Sequence, residues 1–105
     1  ELAEARRRFR ERFDACWPVF ARSGEPKPPL RIRAMRSRWG SLAPSGTVTL
    51  NAHLVRAPEP CLDYVIFHEL CHLRVRGHNA AFYAEVERYV PGWRARKAEL
   101  RRHPL

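Results

Sequence analysis

Tyr64-Val65-Ile66-Phe67-His68-Glu69-Leu70-Cys71-His72-Leu73 is the stretch that decides the fold. At 3.6 residues per turn, positions four apart share a helical face, so His68 and His72 can reach one metal ion. Glu69 sits about 100° round the helix from His68, off the ligand face but close enough to act on a water held there. Tyr64, Val65, Ile66, Phe67, Leu70 and Leu73 supply apolar surface on the other sides, which predicts a buried helix carrying a polar site. Two helical histidines, one capping and one exposed, would satisfy the same five residues, so the flanking sequence has to discriminate.

Downstream, Arg74-Val75-Arg76-Gly77 reads as a helix ending, with cations in the last turn and glycine at a left-handed cap. His78 follows at once. Asn79 is a good cap for a new helix over Ala80 to Tyr89. A catalytic zinc takes three protein ligands and keeps one open position, and a helix–Gly–helix turn can fold His78 back as the third. Cys71, about 60° from His68 on the side away from Glu69, reads as a small buried thiol in packing. Glu85, seven residues after His78, is a candidate acceptor for orienting a ligand; it ranks below His78 as a ligand itself. Asp63 adds negative charge near the helix start.

Upstream, Leu2, Ala5, Phe9, Phe13, Cys16 or Trp17, and Phe20 recur at three- and four-residue steps, predicting an amphipathic helix from about 2 to 20. Ser23 to Pro29 cannot continue it. Leu30, Ile32 and Ala34 alternate with Arg31 and Arg33, the period of a half-buried strand. Trp39 to Leu42 and Thr47 to Asn51 flank Ala43-Pro44-Ser45-Gly46 as a hairpin. Pro60 falls in the first turn of the motif helix, and Val90-Pro91-Gly92 precedes a short basic helix from Trp93 to Arg101. The expected fold is α+β in one domain, 1–105: an N-terminal helix (1–22), a small antiparallel sheet with a hairpin (30–52), then a metal-binding helical part (59–102) of three helices with the site on the first.

The 105 residues carry 20 Lys and Arg against 11 acids, a net charge of +9. Arg6-Arg7-Arg8, Arg10 and Arg12, and again Arg94, Arg96, Lys97, Arg101 and Arg102, concentrate it. Such runs are a candidate nucleic-acid footprint, or the solvated faces of two helices with acids interspersed. Three widely spaced cysteines, Cys16, Cys61 and Cys71, include no C-x-x-C pair, which argues against a zinc finger or a disulfide scaffold and for a reducing cytoplasm. No apolar run is long enough to span a membrane.

Arg38-Trp39-Gly40-Ser41, Leu50-Asn51, Leu62 to Val65, His68 to Leu73 and His78 to Phe82 together resemble the YgjP-like metallopeptidases, small zincins related to the SprT-like and WLM proteases and to the minigluzincins. The likeness runs from about residue 36 to 93; the family often has Cys after Trp-Gly-Ser, where this chain has Leu42. The resemblance implies a minimal zincin-like domain, one zinc ion on His68, His72 and His78, and Glu69 as general base. It implies a peptide or protein substrate, for which Thr47 to Asn51 is the candidate edge strand, although a purely structural hairpin fits the residues equally. Asn51, Tyr83 and Arg38 are candidate substrate-binding residues, with Arg36 beside them. The expected activity is zinc-dependent hydrolysis of peptide bonds. The alternatives are a non-catalytic zinc domain, in which Glu69 is incidental, and a basic nucleic-acid-associated module.

Overall fold

The computed structural model describes residues 2–103. The first helix, α1 (Leu2–Phe20), forms where the three- and four-residue spacing places it, and Ala5, Phe9, Phe13, Cys16 and Phe20 are all buried. Its arginine run divides in two. Arg8 turns inward and donates to the carbonyls of Val55 (2.6 Å) and Ala57 (2.9 Å), while Arg12 donates two bonds to Asp63 (2.9 and 2.8 Å). Asp63 therefore joins two helices. Arg6, Arg7 and Arg10 stay exposed.

Three strands follow: β1 (Leu30–Arg33), β2 (Gly40–Leu42) and β3 (Val48–Asn51). The hairpin is present, with β2 antiparallel to β3. The expectation of a wholly antiparallel sheet with β3 at its edge needs correction. β1 pairs with β3 in parallel, Leu30 opposite Val48 and Ile32 opposite Leu50, so the order is β1-β3-β2 and β3 is central. The physical reason lies in burial. Val48 and Leu50 are both fully buried, and a strand flanked on both sides has all its backbone groups paired within the sheet. The edge nearest the motif helix is consequently β2.

Asn51, at the end of β3, is 0% exposed and uses its whole amide on the chain between β1 and β2 and on the turn that follows β3. Its Nδ2 donates to the carbonyls of Met35 (2.9 Å) and Arg38 (2.7 Å). Its Oδ1 accepts from the amides of Met35 (3.3 Å) and His53 (3.0 Å). Two donors and two acceptor sites exhaust the group. A 3-10 turn (Ala52–Arg56) follows.

The motif helix, α2 (Glu59–Cys71), opens with Pro60 in its first turn. It packs against α1, β2, β3 and the last two helices, α3 (Ala80–Tyr89) and α4 (Trp93–Leu100). Cys61, Leu62, Tyr64 to Phe67 and Glu69 to Cys71 are buried along it. Among the described residues no helix is long and apolar enough to cross a membrane.

Replacing Asn51 with the similarly sized Leu removes four bonds, taking a partner from the carbonyls of Met35 and Arg38 and from the amides of Met35 and His53. Urea unfolding of Asn51→Leu should show a loss of about 2–4 kcal/mol; an unchanged midpoint would refute the clamp.

Candidate metal centre

The site is made by the way α2 ends. The helix stops at Cys71, a turn earlier than the sequence suggested, and His72 is its C-cap. Residues 72–75 tighten into a turn in which the Leu73 amide donates to Leu70 and those of Arg74 and Val75 donate to Cys71. Gly77 then takes φ +74°, the left-handed conformation expected there. Asn79 caps α3 by accepting from the Phe82 amide at 2.9 Å. These local events bring His78 back over α2. Its Nε2 lies 3.3 Å from Nε2 of His68 and 3.3 Å from Nε2 of His72.

That spacing fits a metal. Two zinc–nitrogen bonds of 2.0–2.1 Å at a tetrahedral angle separate their nitrogens by about 3.3–3.4 Å, and ligand atoms of all three histidines lie within 4.8 Å of one another. A single proton on His78 Nε2 can be aimed at only one of its two neighbours, whereas a cation between the three nitrogens would be met by all their lone pairs at once. His72 Nδ1 lies 3.2 Å from the Val75 carbonyl. That contact requires its proton on Nδ1, leaving the Nε2 lone pair for a ligand bond. His68 Nδ1 faces the Tyr64 hydroxyl at 3.5 Å. Burial, then the neighbouring His72 and His78, push His68 down to about 4, and burial also lowers His72. Both rings are neutral at neutral pH, the form that binds metal. Phe82, fully buried, lies flat on His72 at 4.1 Å and edge-on to His68 and His78 at 4.9 and 5.3 Å. One apolar ring thus fixes three imidazoles.

Glu69 is 6% exposed and its carboxylate makes no hydrogen bond among the described residues. Burial pushes it up to about 7, against the opposing pull of Arg38. β2 reaches this carboxylate because residue 40 is glycine. A Cβ there would stand 3.0 Å from Glu69 Cγ, 3.0 Å from Val65 Cγ1 and 3.1 Å from Glu69 Oε2. On either side of β2 the Trp39 carbonyl accepts from the Asn51 amide and the Ala43 amide donates to the Thr47 carbonyl, both at 2.9 Å. The antiparallel alternation therefore turns the amides and carbonyls of Gly40 and Leu42 away from β3, toward a cleft of about 1080 Å³ that His68, Glu69 and His72 also line.

The other expected residues are placed differently. Arg38 lines the cleft. Tyr83 stacks on Trp93 at 4.4 Å, its ring 6.2 Å from His78. Asn51 is buried behind the site, where the geometry supports positioning of the Arg38 segment in place of substrate contact. Cys71 is in the core. Glu85 meets no imidazole and pairs with Arg74 at 3.0 Å. Three contributors escaped the sequence reading. Phe82 had a signal, lying one turn after His78 in a capped helix. Gly40 had a weaker one, in Trp-Gly-Ser. Arg74 had none beyond its charge, yet its guanidinium donates to Glu85, Tyr89 Oη (2.6 Å), the Phe20 carbonyl (2.6 Å) and Glu25 (2.9 Å).

A family model described as "YgjP-like, metallopeptidase domain" matches residues 2–103. Among solved structures the chain is similar to the metallopeptidase zymogen abylysin of Pyrococcus abyssi, with 26% identity, a TM-score of 0.71, and coverage of 89% of this chain and 90% of that one. The zymogen jannalysin of Methanocaldococcus jannaschii has the same fold, at 22% identity and a TM-score of 0.71, over 89% of this chain and 91% of that one. No curated protein matches.

Gly40→Ala should destabilise the fold by about 1–3 kcal/mol while leaving metal content near that of the parent; a parental Tm would disprove the close approach. The pKa shifts of His68 and Glu69 predict opposing pH effects with chelator present. His68 is lowered from 6.5 to about 4, so between those values only the unfolded chain is protonated at this residue and stability is lost as the pH falls. Glu69 is raised from 4.5 to about 7, so acidification through that window stabilises the folded chain. Glu69→Gln removes the compensating slope, and its urea midpoint should drop more steeply from pH 6.5 to 4.5 than that of the parent. Parallel slopes would exclude the assignment.

Proposed function

The chain belongs to the YgjP-like metallopeptidase family, and from that premise we propose that it hydrolyses peptide bonds with one zinc ion held by His68, His72 and His78 and with Glu69 as general base. The observation that carries this reading is the convergence of three imidazole nitrogens beside a buried carboxylate and an unpaired strand edge. Three neutral nitrogen donors with a fourth position open suit zinc. Bound there, zinc would supply Lewis acidity, polarising a scissile carbonyl and making water more acidic.

The chain's own residues do the rest. The bond to Val75 holds His72 in the tautomer that presents Nε2. Phe82 keeps the rings from turning and excludes water beneath them. Glu69, at about 7 in its buried position, is a stronger proton acceptor than an exposed carboxylate. It takes the water proton and returns it to the departing amine. An extended peptide pairs with the free amides and carbonyls of Gly40 and Leu42, adding a strand beside β2. Arg38, exposed at the cleft and nearest in charge to Glu69, stabilises the developing oxyanion.

Elemental analysis of the purified protein should give about one zinc per chain. His78→Ala should weaken zinc binding more than the roughly 10–100-fold typical of changes behind the ligands. Glu69→Gln should keep its zinc and lose about 10²–10⁴-fold in kcat on a mixed peptide library. Undiminished cleavage by Glu69→Gln would remove it as the base.

A further inference from the structure

The walls of the cleft carry an unbalanced charge. Arg38, Arg74, Arg76, Lys97 and Arg101 line it, and Glu69 is the one acid among the lining residues. Arg74 is occupied by Glu25 and Glu85. The other four cations make no ion pair among the described residues, a condition they share with most cations of this basic chain, but these four converge on one cleft.

The arrangement on α4 is the most telling. Lys97 and Arg101 are four residues apart and so share a face, where like charges are mutually unfavourable. The acid on the same helix, Glu99, faces Arg96 at 3.8 Å instead. Lys97 is close enough to His68 and Arg101 close enough to Tyr64 to perturb them electrostatically, as Arg38 does Glu69. Cations from two separate parts of the chain thus bracket the three imidazoles, and Glu69 is the one counter-charge among the residues that line the cleft with them.

Building on the peptidase reading, we propose that this cleft selects peptides carrying acidic side chains beside the bond to be cut, with Arg38, Lys97 and Arg101 as the selecting residues. Such a peptide brings the missing carboxylates and at the same time pairs its backbone with Gly40 and Leu42. A nucleic acid brings the charge but has no backbone amides for a strand edge. Opposite charges focused in a cleft also raise the rate of encounter, an effect that fades with salt.

The test uses the zinc-loaded Glu69→Gln protein as a trap and follows the fluorescence anisotropy of matched decapeptides with acidic, neutral or basic flanks. Each is made with a free and an amidated C-terminus. At about 0.05 M salt the acidic peptide should bind on the order of tenfold tighter than the basic one, the ratio shrinking toward one at about 0.5 M. Lys97→Gln with Arg101→Gln should collapse the ratio and Lys97→Arg should preserve it. Arg7→Gln with Arg10→Gln, which removes the same charge from exposed positions on α1, should also preserve it. The kcat/KM values of the parent enzyme should follow the same ranking. Equal binding of acidic and basic peptides overturns the proposal. So do a preference that amidation alone abolishes, which assigns the cations to a terminal carboxylate, and displacement of the acidic peptide by a tighter-binding single-stranded oligonucleotide. Cleavage without charge preference defeats this inference and spares the peptidase reading. Acid-selective binding with no cleavage of any peptide by the parent defeats the peptidase reading and leaves a carboxylate-binding cleft.

Discussion

A helix enclosed on nearly every side has one strip along which polar atoms can meet water, and α2 is such a helix. Around it stand α1, the sheet, α3 and α4. From Cys61 to His72 only Asp63, His68 and His72 escape full burial. Asp63 is matched by Arg12 from α1. The two histidines take the remaining strip, and Glu69, next to it, is the one buried acid among the described residues. The apolar residues that enclose the helix therefore also dictate where its chemistry can be. α1, β2, β3, α3 and α4 all pack against the same helix, so the positions of Gly40, Phe82 and Lys97 relative to the imidazoles follow from α2 as well.

The third imidazole is the exception, because it lies beyond the helix. Residues 72 to 79 must reverse the chain, and a reversal this short has few conformations. Gly77 supplies the left-handed residue and Asn79 restarts the helix, but neither fixes the turn against the body of the protein. Arg74 does. Its guanidinium lies 3.7 Å over the Phe20 ring and binds the end of α1, the following loop and α3 together. Its side chain is 10% exposed and its carboxylate partners 30% and 12%, so these bonds are well shielded from water. Donors so engaged gain more from their partners than surface ones do. A residue that touches none of the imidazoles thereby holds the turn that carries one of them.

What could be read from the sequence was what depends on local spacing. The periodicity of Ala5, Phe9, Phe13 and Phe20 gave α1 its bounds, Asn79 marked the start of α3, and Pro44 to Gly46 marked the hairpin. The motif and His78 were legible for the same reason, since eleven residues, 68–78, contain all three imidazoles. Sheet order was not. Alternation in Leu30 to Arg33 is the same whether the partner runs parallel or antiparallel, and the choice is made by which strand the helices bury. Asn51 suggested a polar site residue but is sealed behind one. Its environment is set by Met35 and Arg38, whose approach no local pattern encodes. Arg8 and Arg12 look like part of a solvated charge run, and only the positions of the Ala52–Ala57 segment and of α2 turn them inward.

The separation of roles within the motif has an electrostatic rationale under the proposed chemistry. Three neutral imidazoles leave a bound dication its full charge, whereas a carboxylate ligand would cancel part of it. Placing the acid one residue after the first ligand keeps it out of the ligand set yet beside it. Burial drives Glu69 toward the protonated form; a dication beside it drives it toward the ionised one. The two influences oppose each other, so the carboxylate is held ionised without the strong stabilisation that would make it a poor base. Moving the same glutamate onto the ligand face would forfeit both effects. Gly40 bears on this balance directly, since a larger residue there would push the carboxylate along the cleft and alter its burial and its distance from the imidazoles together.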